Sequence, residues 1–70
     1  MKNVFINSEY IKLVSFLKFA GAFESGAAAG IAVTSGKVSL NGEECLIKGK
    51  KLFGGEKVSV GKEEFKVVKK

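Results

Sequence analysis

Three lysines lie within four positions of one another, shortly after the hairpin signal Asn41-Gly42; they are Lys48, Lys50 and Lys51. Each ammonium group can neutralise one phosphate and release counterions, which gives an affinity that falls steeply as salt rises. Contacts of this kind position a polyanion and carry little sequence information. The cluster therefore indicates binding of a phosphate backbone, unless the lysines serve only to keep a small protein soluble.

The charge of the whole chain fits both interpretations, but its uneven distribution points toward a polyanion. Twelve Lys against seven Glu give a net charge of +5, of which residues 1–35 carry +1 and residues 36–70 carry +4. A basic half of a small protein favours a polyanionic partner, with nucleic acid ahead of a membrane surface. Because the chain has no Arg, the residue suited to reading guanine edges, we expect recognition of backbone and shape, the usual mode for an A-form RNA helix.

The rest of the composition argues against catalysis and against a metal or another cofactor. With no His and one Cys, the chain lacks the ligands of a transition-metal site. A serine nucleophile would have only lysines to activate it. Gly49 and Gly54 have the spacing of a phosphate-binding P-loop, but Gly55 stands where that motif needs a lysine. We expect no enzyme, and we expect Cys45, in a predicted strand, to be a buried and inert thiol.

Location and size follow from the same composition. One cysteine cannot close a disulfide within the chain, which favours a reducing compartment. No segment approaches the ~18 apolar residues of a membrane span, and polar residues interrupt the only stretch with the outline of a signal peptide. We expect a cytoplasmic monomer with one domain over residues 1–70.

Two helices are predicted in the first half. An apolar face at helical spacing predicts helix one over about residues 9–20, capped by Asn7 or Ser8; its members are Leu13, Phe16, Leu17 and Ala20. Ser25 is a good N-cap for helix two, which runs to about Thr34. Glycine costs about 1 kcal/mol relative to Ala inside a helix, so Gly26 and Gly30 indicate close packing there.

A sheet is predicted from the remaining residues. Lys2 to Ile6 is rich in strand formers and is expected to add an edge strand. After Gly36 the apolar period becomes two, Asn41-Gly42 favours a type I′ turn, and the return strand is expected over residues 43–47. Further alternation around Val58 and around Phe65 predicts two more strands. The expected class is α+β: two short packed helices followed by a small, curled, mostly antiparallel sheet of four or five strands.

These elements, in this order, resemble the RNA-binding domain named after ribosomal small-subunit protein S-four. The run "KLVSFLKFAGAFESGAAAGIAVTSGKVSLNG" has that family's spacing, and "KGKKLFGGEKVSV" resembles its basic loop, Gly-acidic turn and closing strand. The positions that carry the match are Leu17, Lys18, Gly21, Ser25, Ala29, Gly36, Val38, Leu40, Asn41 and Gly42. It covers about residues 10–60, and within the family it resembles the small stand-alone bacterial members of the YbcJ/YaaA type.

The resemblance implies an alpha-L fold that binds structured RNA, such as ribosomal or transfer RNA, through the two helices and the basic loop. The predicted RNA-binding residues are Lys12, Lys18, Ser25, Lys37, Lys48, Lys50 and Lys51. Many members have Arg directly after the helix-two serine, where this chain has Gly26. Ala28 and Gly30 replace residues that are often polar or basic, and Ile47 replaces a frequent Arg. More of the binding is therefore expected from the lysine-rich loop.

A different function remains open at this point. The outward arc of helix one contains Ile11 and Phe19 beside Lys12, Ser15 and Lys18. Exposed apolar residues on a helix can dock a protein partner. The alternative hypothesis is therefore a small adaptor that binds another protein through helix one.

Overall fold

Seven strands and two helices follow one another along residues 1–70, all of which the computed structural model describes. Their bounds are β1 (Lys2–Ile6), β2 (Ile11–Lys12), α1 (Leu13–Phe19), α2 (Gly26–Thr34), β3 (Val38–Leu40), β4 (Glu43–Glu44), β5 (Lys51–Leu52), β6 (Lys57–Val60) and β7 (Glu63–Lys69). Five strands form one sheet in the order β1-β7-β6-β3-β4, and β2 pairs with β5 separately. Neither helix has the length and apolar character needed to cross a membrane.

The five-stranded sheet is antiparallel except at one edge. β3 pairs antiparallel with β4 and with β6, and β6 pairs antiparallel with β7. β1 lies parallel to β7, with Val4 opposite Val67, and so forms the predicted edge strand. The expected α+β class, with two helices and a mostly antiparallel sheet, is confirmed.

The core lies between the sheet and the helix pair. Period-two alternation turns Val58, Phe65 and Val67 to the inner face, where each is buried. Phe16 of α1 is fully buried, and its ring meets that of Phe65 edge to face with the ring centres 6.4 Å apart. This is a favoured aromatic geometry. The contact packs α1 against the sheet.

Helix α1 is shorter than the sequence predicted. It begins at Leu13, because Ile11 and Lys12 are extended and pair with the strand β5. The predicted start near residue 9 and the predicted cap at Asn7 or Ser8 are therefore wrong. The Ser8 hydroxyl instead donates a hydrogen bond to the carbonyl of Tyr10 at 2.8 Å. Apolar periodicity could not show this boundary, since a pairing with a distant segment of the chain sets it.

The hairpin turn has the predicted type, but its second strand is shorter than predicted. Asn41 and Gly42 have φ values of 53° and 87°, both positive as a type I′ turn requires. β4 ends at Glu44 rather than at residue 47. The Cys45 N–H still donates to the carbonyl of Val38 at 3.0 Å, but Cys45 is half-buried and not fully buried as predicted. Cys45 therefore directly follows β4 and does not lie inside a strand as predicted.

Asn41 connects this turn to β6. Its backbone N–H donates to the carbonyl of Lys57 at 2.8 Å, and its side-chain oxygen accepts from the Lys57 N–H at 2.9 Å. Replacing Asn41 with Ala should lower the free energy of unfolding by about 1–2 kcal/mol, because Ala tolerates positive φ poorly and cannot accept the second bond. Urea unfolding measures the change. Asn3→Ala, at an exposed position on β1, is the control, and an equal loss in both variants would contradict the prediction.

Candidate nucleic-acid interface

Residues 48–51, which we call the lysine loop, are held against the first turn of α1 by backbone hydrogen bonds. The N–H groups of Leu13 and Val14 donate to the carbonyls of Lys50 and Lys48, at 2.8 and 3.1 Å. The first N–H groups of a helix have no partner inside the helix, so these carbonyls take the place of a side-chain cap. The pairing of β2 with β5 continues the same attachment. The lysine loop therefore has a fixed position beside helix α1.

The side chain of Lys48 crosses from this loop onto helix α2. A Cβ added to Gly30 would lie 3.0 Å from the Lys48 Cδ atom, so the aliphatic stem of the lysine lies on bare helix backbone. The close packing predicted for the helix-two glycines is therefore observed at Gly30. It does not apply to Gly26, where an added Cβ would meet nothing within 4 Å. Gly26 instead leaves an open surface on α2.

A groove of about 620 Å³ opens between the lysine loop and α2. Lys12, Lys48 and Gly49 line it on the side of the loop, and Gly26, Ala27, Gly30, Ile31 and Thr34 of α2 line it on the other. Positions 26, 30 and 34 are four residues apart and form one face of the helix. The Lys48 stem covers Gly30, whereas nothing covers Gly26, so a ligand backbone can approach the helix closely at the Gly26 end of this face.

The cations of this groove lack intramolecular partners. The one ion pair in the chain joins Lys57 to Glu64 at 3.5 Å, so no carboxylate lies within 4.0 Å of the ammonium group of Lys12 or Lys48. Lys12 also stands directly opposite Lys51 in the β2–β5 pair. Like charges placed opposite each other destabilise a strand pair. A bound anion would relieve this repulsion, so the electrostatics of the groove suit a polyanion.

The other predicted lysines lie on different surfaces. Lys50 lines a small pocket together with Glu43 and Glu44 of the hairpin, and the Lys51 ammonium lies 4.7 Å from the ring centre of Tyr10. The three loop lysines therefore lie on three neighbouring surfaces rather than on one. Only Lys48 of the three lines the groove, where it is joined by Lys12.

The remaining three predicted residues also lie outside the groove. Lys18 is exposed near the end of α1, and Lys37 is exposed between α2 and β3. The Ser25 hydroxyl accepts a hydrogen bond from the N–H of Ala28 at 3.1 Å and is the N-cap of α2, as predicted. A hydroxyl in this position stabilises the helix start, which is a structural role.

Sequence reasoning missed Tyr10 and Phe53. Their rings lie 5.9 Å apart between centres, beside the ribbon formed by β2 and β5. The helix predicted over residues 9–20 contains Tyr10 in its first turn, and strands of two residues leave no periodic signal. The one sequence feature that could have indicated the pair is the position of Phe53, two residues after Lys51 in the basic segment.

The surface required by the adaptor hypothesis is small. Ile11 is half-buried and packs against the core, so it is not available on an outer helix face. Phe19 is 63% exposed and shares a pocket of about 120 Å³ with Phe5, which is 53% exposed. Ile6 and Ile11 also line this pocket, so the apolar surface around Phe19 is formed mainly by residues of β1 and β2 and not by helix one.

Comparisons with known proteins agree with this architecture. The S4 domain model matches residues 4–68. The chain is similar to the solution structure of YbcJ from E. coli, with 32% identity, a TM-score of 0.75, and coverage of 97% of this chain and 87% of that one. The YbcJ structure is described as revealing an alpha-L motif involved in RNA binding. No curated protein gives a significant match. The resemblance predicted from the sequence is confirmed, and the chain belongs to the S4 domain family, with the alpha-L fold.

Proposed function

We propose that this protein binds structured RNA, without catalysing a reaction, through the groove between α2 and the lysine loop. One observation carries the proposal: Lys12 and Lys48, neither of them paired with a carboxylate, face a groove lined on its other side by the small residues of α2. The relation to YbcJ, whose alpha-L motif is described as involved in RNA binding, supports it.

The chemistry of the groove suits a phosphate backbone. A lysine ammonium is a compact point charge that accepts any phosphate geometry, and it lies at the end of a flexible stem. The face of α2 adds no charged side chain; its contribution is the open surface at Gly26 and the bare backbone at Gly30 on which the Lys48 stem lies. Recognition therefore depends on the spacing of phosphates, which an A-form RNA helix or a folded RNA presents in a regular way.

The contributions of the predicted residues are unequal in this proposal. Lys12 and Lys48 make the central phosphate contacts, since they line the groove. Lys50 and Lys51 extend the positive surface on the neighbouring sides of the loop, and Lys18 and Lys37 add long-range attraction from outside the groove. Ser25 fixes the start of α2. The family resemblance favours ribosomal or transfer RNA as the ligand, bound by a cytoplasmic monomer.

Salt dependence tests the proposal. Binding of the wild-type protein to transfer RNA and to ribosomal RNA fragments should weaken strongly between about 50 and about 200 mM salt, since each phosphate contact releases counterions. Replacing Lys48, Lys50 and Lys51 together with Ala should reduce the slope of log affinity against log salt concentration by up to about three units. Filter binding or fluorescence anisotropy gives both quantities.

The adaptor hypothesis predicts the opposite result. The wild type would then bind no RNA even at low salt, and an affinity pull-down would recover one protein partner. Phe19→Ser would abolish that capture, because Phe19 is the most exposed aromatic residue on the proposed adaptor surface. Retention of RNA binding by Phe19→Ser would exclude an RNA role for this ring.

A further inference from the structure

An aromatic cluster lies beside the ribbon of β2 and β5, next to the groove but outside it. It consists of Tyr10, Lys51 and Phe53: the Lys51 ammonium lies 4.7 Å from the centre of the Tyr10 ring, and the centre of the Phe53 ring lies 5.9 Å from it. Phe53 is 51% exposed and is absent from the hydrophobic core. The core therefore does not explain why a large aromatic side chain stands here.

The position of Phe53 is fixed by its backbone. The carboxylate of Glu56 accepts hydrogen bonds from the N–H groups of Phe53 and Gly54, at 2.8 and 2.7 Å. Bonds to a charged acceptor are stronger than those between neutral groups. On the preceding side, Leu52 is fully buried and pairs with Ile11. The backbone on both sides of the exposed ring is thus held in place. The ring is therefore positioned before a ligand binds, which lowers the entropy cost of binding.

We propose that the exposed face of Phe53, together with Lys51 and Tyr10, binds one unpaired base of the RNA, next to the helical part held in the groove. The tilt of 51° between the Tyr10 and Phe53 rings leaves no parallel gap for a base between them, so the base stacks on the outer side of Phe53. Lys51 contacts the phosphate of the same nucleotide. Aromatic rings beside cations are the usual means of binding unpaired bases.

Continuity with the groove selects this ligand over a free nucleotide or an apolar peptide. Lys51 stands directly opposite Lys12, which lines the groove, so a single RNA backbone can pass from one lysine to the other. The ligand is then a junction between a helix and a single strand, such as the end of a hairpin stem. Every base has a face that can stack, so this site selects the junction and not its sequence.

The inference rests on the proposed RNA binding, and the experiment separates the two. The probes are a blunt RNA duplex of about 16 base pairs, the length a double-stranded RNA domain spans, and the same duplex with a short adenosine overhang. Wild type should bind the tailed duplex about tenfold more tightly than the blunt one, within the range measured for stacking one base. Phe53→Leu should remove this preference and leave the affinity for the blunt duplex unchanged, because Leu keeps the apolar bulk but has no ring.

A second readout does not depend on affinity. With 2-aminopurine as the first nucleotide of the overhang, wild type should quench its fluorescence, whereas Phe53→Leu should not. Phe5→Leu is the matched control, since Phe5 is 53% exposed on β1, and it should behave as wild type. Equal binding of tailed and blunt duplexes by the wild type, or a preference retained by Phe53→Leu, would overturn the base site alone. Binding to neither RNA at low salt would overturn the proposed function and the base site together.

Discussion

Replacing Lys12 and Lys48 together with Gln is expected to weaken the binding of structured RNA and to reduce its dependence on salt. Both side chains line the groove, and neither has a carboxylate partner in the free protein, so their loss costs no internal ion pair. Two fewer phosphate contacts should reduce the log–log slope of affinity against salt by about two units. Between about 50 and about 200 mM salt, the wild type should therefore lose roughly tenfold more affinity than the variant.

A control variant separates the groove from net charge. Lys62→Gln with Lys66→Gln lowers the charge by the same amount at two exposed positions, one in the turn before β7 and one on β7. Long-range attraction would weaken equally in both double variants, whereas phosphate contacts are lost only when groove lysines are replaced. If the control reduces the slope as much as Lys12→Gln with Lys48→Gln, the groove is not where RNA binds. Circular dichroism verifies that both variants are folded.

Local sequence signals predicted much of the fold. Asn41-Gly42 predicted a type I′ turn, and both residues have the positive φ values that this turn requires. Ser25 predicted the start of α2, and the strand formers of β1 predicted an edge strand. In each case the information lies within a few neighbouring residues: a cap accepts from an N–H three positions later, and a turn depends on its two central residues.

The start of α1 could not be predicted in the same way. Leu13 and Val14 donate to carbonyls of the lysine loop, more than thirty residues later in the chain. No pattern around residues 9–13 contains this partner, and the helical spacing of apolar residues does not show where the extended chain ends and the helix begins. The strands β2 and β5 contribute two residues each, which is too short for an alternation to be seen.

The sequence indicated lysines as the residues of the candidate site, but it did not show which lysines lie together in the fold. The sequence places Lys48, Lys50 and Lys51 together, yet a turn and a two-residue strand direct them to the groove, to the hairpin pocket and to Tyr10. Lys12, which precedes Lys48 by more than thirty positions, is the residue that joins it in the groove. Proximity in sequence therefore did not show which lysines share a surface in the fold.

The small residues of α2 have a specific place in the proposed interface. From sequence, Gly26 and Gly30 were departures from a family pattern that often has basic or polar residues there, which suggested a weaker role for the helix. In the structure, Gly30 lets the stem of Lys48 lie on the helix, and Gly26 keeps the surface open. In the proposed binding mode, the open surface of α2 takes the place of the basic side chains expected from the family resemblance, and this surface can be tested separately from charge.

Filling the groove should therefore weaken RNA binding while every lysine is retained. Gly30→Leu places a side chain where an added Cβ already lies 3.0 Å from the Lys48 Cδ atom, so it displaces the lysine and occupies the path of the RNA backbone. We expect a loss of affinity on the order of tenfold, equal to about 1.4 kcal/mol. Leu is the better helix former by up to about 1 kcal/mol, so α2 should remain folded. Fluorescence anisotropy and thermal unfolding measure the two effects.

A neighbouring pair of substitutions makes this test independent of Gly30, which is buried. Ala27 and Ala28 are adjacent and exposed on α2, but only Ala27 lines the groove. Ala27→Leu should therefore weaken binding in the same direction as Gly30→Leu, whereas Ala28→Leu should bind RNA as the wild type does. Equal affinities for Ala27→Leu and Ala28→Leu would show that RNA does not lie along this face of α2. The lysines would then act as scattered surface charges, since the groove that unites Lys12 with Lys48 would be empty in the complex.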